Sequence, residues 1–185
     1  RDHCVTGVQT CALPIWVYKI NPDNSCRFLL GEKGQNIIGC IGINPSTASP
    51  NALDNTLKSV KRIARFNGFD GWIMFNVYPQ RATNPSQLHH VPQEKLIGEN
   101  LQIFQNAIEQ FGIQNIWLAY GNLIEIRKYL PSCLHQLLHS IGHLDINWKI
   151  SGLPTQKGHP RHPLYTSAKS PLVSFDLETC LQQVP

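Results

Sequence analysis

The sequence predicts a single α/β domain: a three-layer α/β/α sandwich on a mainly parallel four-stranded central sheet, with an N-terminal β-hairpin added at one edge. Three observations lead there. Four short apolar runs recur, at 37–43, 72–77, 116–120 and 146–151. Helix-period segments separate them. Each run ends in polar or turn-forming residues. Strands that alternate with helices imply crossover connections and therefore parallel pairing.

The elements follow in chain order. Trp16–Ile20 and 26–31 are strand-like and are joined by the turn Asn-Pro-Asp-Asn, which makes the hairpin. In 54–67 the apolar residues Leu57, Val60, Ile63, Ala64 and Phe66 recur at helical spacing, with Asp54 as N-cap. In 95–111 they are Ile97, Leu101, Phe104, Ile108 and Phe111. A third helical region covers 123–130 and resumes at Pro131, which opens a second helix or kinks the pair, and runs to about Ser140.

Residues 5–15, VTGVQTCALPI, resemble the in-frame translation of a short-read sequencing adapter, and Arg1 to Cys4 fit as its flank. Residues 1–15 are accordingly set aside as non-native, which leaves 16–185 as the domain. A hydrophobic content of 42% with 15% charged residues suits a globular fold, and no apolar run reaches membrane-spanning length. The net charge of +4 permits a nucleic-acid or phosphate partner without requiring one. Cys26, Cys40, Cys133 and Cys180 form no CxxC pair, so they read as buried free thiols of a cytoplasmic protein. His135, His139 and His143 have helical spacing. They read as exposed helix residues ahead of a metal stripe, so neither a metal nor a cofactor is expected.

Parallel sheets bind ligands beyond the carboxyl ends of their strands. The segments at those ends are GINPSTAS, NVYPQRAT, YGN and GLPTQKGHPRHPLY. In the first, Pro45 restricts Asn44 to extended backbone, so its carboxamide is aimed and can orient a water or read a base edge. Ser46 and Thr47 add hydroxyls suited to phosphate; a plain Asn-Pro turn explains the same residues. Asp54 is the carboxylate candidate for activating a nucleophile, if it does more than cap its helix. Asn76 lies at a strand end, Tyr78 offers a stacking ring, and Arg81 offers a planar fork for phosphate. Gly121 permits close ligand approach or a tight turn. In GHPRHPLY, His159 and His162 can donate to an oxyanion, Arg161 can bind phosphate, and Tyr165 can stack.

NPSTA, the Asp-x-Thr of DNT, NVYPQRAT, YG and GHPRHPLY occur in that order, and together they resemble the Domain of Unknown Function 1643 family from about Cys26 to Pro171. More distantly, GINPS is similar to the Gly-Ile-Asn-Pro-Gly motif of mismatch-specific uracil-DNA glycosylases. HPRHPL is similar to their His-Pro-Ser-Pro-Leu motif with one residue added. That resemblance implies a uracil-DNA glycosylase-like fold, Asn44 orienting water toward a sugar C1′, and Pro45 and Ser46 shaping a base pocket. It also implies His159 or His162 stabilising the leaving base and Arg161 holding a phosphate. Ser46 departs from the glycosylase glycine.

The expected function is a domain that binds a nucleobase or nucleotide and hydrolyses an N-glycosidic bond without metal, with DNA or another nucleic acid as partner. The alternatives are a non-enzymatic nucleic-acid-binding or sensing module, and an enzyme acting on free nucleotides or sugar phosphates. No membrane partner is expected, and the sequence specifies no oligomeric state.

Overall fold

The computed structural model describes residues 15–177. The adapter-like segment through residue 14 and Cys180 lie outside the described residues. The strands are β1 (Trp16–Ile20), β2 (Arg27–Glu32), β3 (Ile37–Gly42), β4 (Gly71–Asn76), β5 (Asn115–Leu118), β6 (Asn147–Ser151) and β7 (Leu172–Ser174). The helices are α1 (Asn55–Phe66), α2 (Glu94–Gln110) and α3 (Leu130–Ser140).

The α/β class holds, but the sheet is larger than expected. It has seven strands in the order β1-β2-β4-β3-β5-β6-β7. β3 pairs in parallel with β4 and β5, and β5 with β6. The N-terminal hairpin lies at one edge as expected, with β2 antiparallel to β4. At the other edge β7 pairs antiparallel with β6. Only three residues long, β7 leaves no alternation for a sequence reading to find.

Side-chain alternation splits the core into two layers. From β4, Trp72 and Met74 join Leu57, Val60, Ile63 and Ala64 of α1 on one face. Ile73 and Phe75 join Phe104 and Ile108 of α2 and Leu134 and Leu137 of α3 on the other. Each fully buried aliphatic side chain contributes about 1.5–3 kcal/mol relative to exposure. Asp54 caps α1 as expected, its Oδ1 accepting from the Leu57 N–H at 2.8 Å. Phe66, counted among the core positions of that helix, is instead 53% exposed, since it lies in the last turn beyond the sheet contact. The third helical region divides: Gly121–Ile126 is a 3-10 helix, and Pro131 sits in the first turn of α3, where its missing N–H costs nothing.

The β1–β2 ladder is irregular between Lys19 and Ile20. Tyr18 pairs with Leu30 and Lys19 with Leu29, but Ile20 pairs with Arg27. Phe28 is the extra residue of a bulge. Trp16 and Tyr18 pack toward the α1 layer, so Ile20 and its partner Arg27 share that face. Unbroken alternation would have sent Arg27 to the face of Leu29.

At Gly31 of β2, a Cβ would lie 2.1 Å from the Trp72 carbonyl oxygen and 2.7 Å from the Ile73 Cα. Backbone cannot yield there, so Gly31→Ala should cost about 3 kcal/mol or more in denaturant unfolding. Gly98, exposed within α2 with nothing within 4 Å of an added Cβ, provides the contrast. Gly98→Ala should stabilise by about 0.5–1 kcal/mol. Equal midpoints for the two variants would refute this account of the sheet.

Candidate functional site

The chain leaves β3 through α1 to reach β4 on one side, then returns through α2 to β5 on the other side of β3. The connections diverge at β3, and such a divergence opens a crevice beyond the carboxyl ends of the strands. A cleft of about 770 Å³ lies there. β3 supplies Gly42 and the following Ile43 and Asn44; Met74 and Arg27 border the sheet side; Asp54 and Thr56 come from the start of α1. Tyr120, Gly121 and Asn122 follow β5, and Arg161, His162, Leu164 and Tyr165 come from the GHPRHPLY loop.

The segment after β3 is held rigidly. Asn44 Nδ2 donates to the Pro45 carbonyl at 3.0 Å and the Ala82 carbonyl at 2.8 Å. Two backbone acceptors fix the amide's orientation, which leaves Oδ1 as the end available to a ligand. Ser46 Oγ donates to Asp54 Oδ2, while Asp54 Oδ1 accepts from the Leu57 N–H. The carboxylate is therefore tied both to the loop and to the helix.

Arg81 does not fill the phosphate role expected of it. Its Nη1 donates to the Ser46 carbonyl and, at 3.2 Å, to the Ala48 carbonyl, and its Nη2 donates to Tyr18 Oη at 2.8 Å. It clamps residues 46–48 onto the sheet. Arg27 also donates to the Ala48 carbonyl, from Nη1 at 3.1 Å. Burial, then the neighbouring Arg81 charge, lower the Arg27 pKa to about 10.

The GHPRHPLY loop is pinned at several points. His159 is 2% exposed and its Nε2 meets Glu125 Oε1 at 2.8 Å; Lys157 Nζ donates to Glu125 Oε2. Thr155 Oγ1 donates to Asn122 Oδ1 at 2.7 Å, and Arg161 Nε donates to the Leu153 carbonyl at 2.8 Å. The Lys157 and His159 hydrogen bonds hold the Glu125 carboxyl below its ordinary range. His162 is half-buried in the cleft. The Leu164 N–H donates to its Nδ1 at 3.4 Å, so the neutral ring carries its proton on Nε2. Gly121 has φ +64°, and a Cβ there would stand 3.2 Å from the His162 Cβ, so glycine lets this loop close against β5.

Asn44, Ser46, Asp54, Gly121, Arg161, His162 and Tyr165 are thus brought to one cleft. Pro45 is buried and Thr47 exposed beside it, and neither borders it. His159 and Arg81 brace its walls. Tyr78 lies elsewhere: it is fully buried, with Oη bound to His89 Nδ1 at 2.9 Å and its ring against Tyr129, so it cannot stack on a ligand. Asn76 is buried and does not border the cleft, and both of its side-chain polar atoms are unpartnered. Sequence reasoning missed Arg27, whose signal is a charge directly before the apolar run Phe28–Leu30, and Glu125, which has none. Cys26, Cys40 and Cys133 are buried and free, with thiols pushed up by burial. His135, His139 and His143 are exposed, and among the described residues no group of three or more His, Cys, Asp or Glu side chains could hold a metal ion. Nor is any helix among them long and apolar enough to cross a membrane.

A family model described as "Protein of unknown function (DUF1643)" matches residues 27–164, a span that contains every residue bordering the cleft except Tyr165. No curated protein and no solved structure matches the chain.

Burial holds the His162 imidazole below its ordinary pKa of 6.5. The unfolded chain therefore takes up this proton at a higher pH than the folded one does. Stability from the neutral ring is fully present above about pH 6.5 and is lost as the pH falls from there through the folded value. Denaturant midpoints of the parent and His162→Gln, measured across that window, should show the parent losing stability faster on acidification. Parallel curves would mean that the ring is not desolvated.

Proposed function

The chain belongs to the DUF1643 family, and we propose that it uses this cleft to bind a nucleobase or nucleotide and to hydrolyse its N-glycosidic bond. The observation that carries the reading is Asn44. Its Nδ2 is spent on two backbone carbonyls, so a fixed acceptor oxygen is presented to a nucleotide-sized crevice. The similarity of GINPS and HPRHPL to the two uracil-DNA glycosylase motifs supports it, since both segments meet at this cleft.

In this reading Asn44 Oδ1 accepts a hydrogen bond from a water and aims its lone pair at the sugar C1′. The C1′–N bond breaks and its electron pair leaves with the base. The water oxygen bonds to C1′, and the water's proton passes to solvent or to Asp54. The Asp54 carboxylate, held by Ser46 and the α1 N-terminus, offsets the positive charge that grows on the sugar. Neutral His162 donates from Nε2–H to the base as it gains negative charge, and needs no prior protonation to do so. Tyr165, 80% exposed with its ring centroid 5.9 Å from that of His162, offers a stacking surface at the rim. Within a duplex, the nucleotide would have to be flipped out to reach the cleft.

The test uses the full chain, labelled oligonucleotides carrying uracil, hypoxanthine or a G·T mismatch in single and double strands, and free nucleosides and nucleotides. Base release is expected from one class. Asn44→Ala should lower turnover about 10²-fold or more while binding is retained. Binding without release from any substrate would replace the enzyme with a binding module. Release unaffected by Asn44→Ala would move the chemistry off this residue.

A further inference from the structure

Arg27 is 1% exposed and borders the cleft. Of its guanidinium, Nη1 reaches the Ala48 carbonyl, while Nε has no partner. Among the described residues no carboxylate lies within 4.0 Å of it. Asp54 acts on it only at longer range, and both oxygens of that carboxylate are already engaged. Arg81, which shares the Ala48 carbonyl, adds a second positive charge nearby. Buried cations are ordinarily paired, because an unpaired one is strongly destabilising. This one is also aimed: the bulge at Phe28 turns it onto the α1 face of the sheet.

A second buried polar side chain of that face is also unpartnered. Asn76, next after Met74 on that face of β4, is 1% exposed, and neither Oδ1 nor Nδ2 has a partner. Across on β3 its register partner is Gly42, where an added Cβ would lie 2.4 Å from Met74 Cε and 3.8 Å from Asn76 Oδ1, so Met74 fills the space beside it.

We propose that Arg27 forms an anion subsite on the sheet side of the cleft that takes the terminal phosphate of a free nucleotide. The proposal rests on the reading that the cleft binds a nucleotide, and narrows it from a strand to a small molecule. Arg27 is buried at the wall of the cleft, so a group that reaches it ends its ligand, whereas a phosphodiester must continue in both directions.

The test is calorimetric titration and thermal melting of the full chain with nucleosides, their 5′-monophosphates, inorganic phosphate and a hydroxyl-terminated oligonucleotide. It compares the parent with Arg27→Met and Arg27→Lys. One monophosphate should bind about 10- to 100-fold more tightly than its nucleoside, as a charge-assisted contact allows. Arg27→Met should abolish the difference, and Arg27→Lys should restore part of it. Without ligand, Arg27→Met should melt at or above the parent temperature, because it removes an unpaired buried charge; a merely structural arginine would lower it. Equal affinity for nucleoside and monophosphate, a preference that survives Arg27→Met, or a variant that melts well below the parent each overturns the subsite. Oligonucleotide binding with the same dependence on Arg27 overturns the terminal assignment. Protection by inorganic phosphate alone, lost in Arg27→Met, upholds the subsite and sinks the nucleotide reading instead.

Discussion

β3 is paired in parallel on both edges and buried on both faces. It has no freedom to slip, because a one-residue shift would exchange Ile38 and Cys40 with Gly39 and Ile41 between two different core layers. The residues after Gly42 therefore emerge at a fixed height and angle. Tyr78 and Val77 donate backbone N–H groups to Ile43 and Gly42, which carries the pairing past the strand ends. Asn44 inherits its position from this ladder and its side-chain orientation from Pro45 and Ala82.

The opposite wall is built differently. The segment after β6 has little regular structure, and polar side chains hold it. Glu125 meets Lys157 and His159, Asn122 meets Thr155, and Arg161 bonds the carbonyl of Leu153. These groups lie partly in water, where each contact is worth little alone. Their effect is to limit the places the loop can go, so that His162 and Tyr165 face the cleft. One wall is thus a consequence of the sheet, and the other is a clasp.

The electrostatics of the cleft are uneven. His162 is kept neutral by burial, Asp54 is anchored at a helix start, and Arg27 is a cation without a close counter-charge. Asn76 adds an amide with both ends idle. Unmatched polar groups in an otherwise well-packed interior mark places where stability has been given up, and such places cluster where ligands bind. Here Arg27 is such a group, and it borders the crevice that topology opens.

Much of the architecture was legible in the sequence. Continuous apolar runs located the four parallel strands, and a 3.6-residue period located the capped helix α1 and the long helix α2, because burial on both faces makes a strand apolar throughout and burial on one face writes a period into a helix. The motifs at the strand ends also named Asn44, Ser46, Asp54, Arg161, His162 and Tyr165, since a parallel sheet brings such ends together whatever their spacing in the chain. The tertiary structure decided the rest. Which faces Arg27 and Tyr78 present depends on a bulge and on the packing of Tyr129, and neither leaves a mark on nearby residues. Whether Arg81 and His159 bind a ligand or brace a wall depends on partners 35 and 34 residues away. A side chain's type and neighbours fix what it can do chemically; what it does is fixed by contacts that only the folded chain makes.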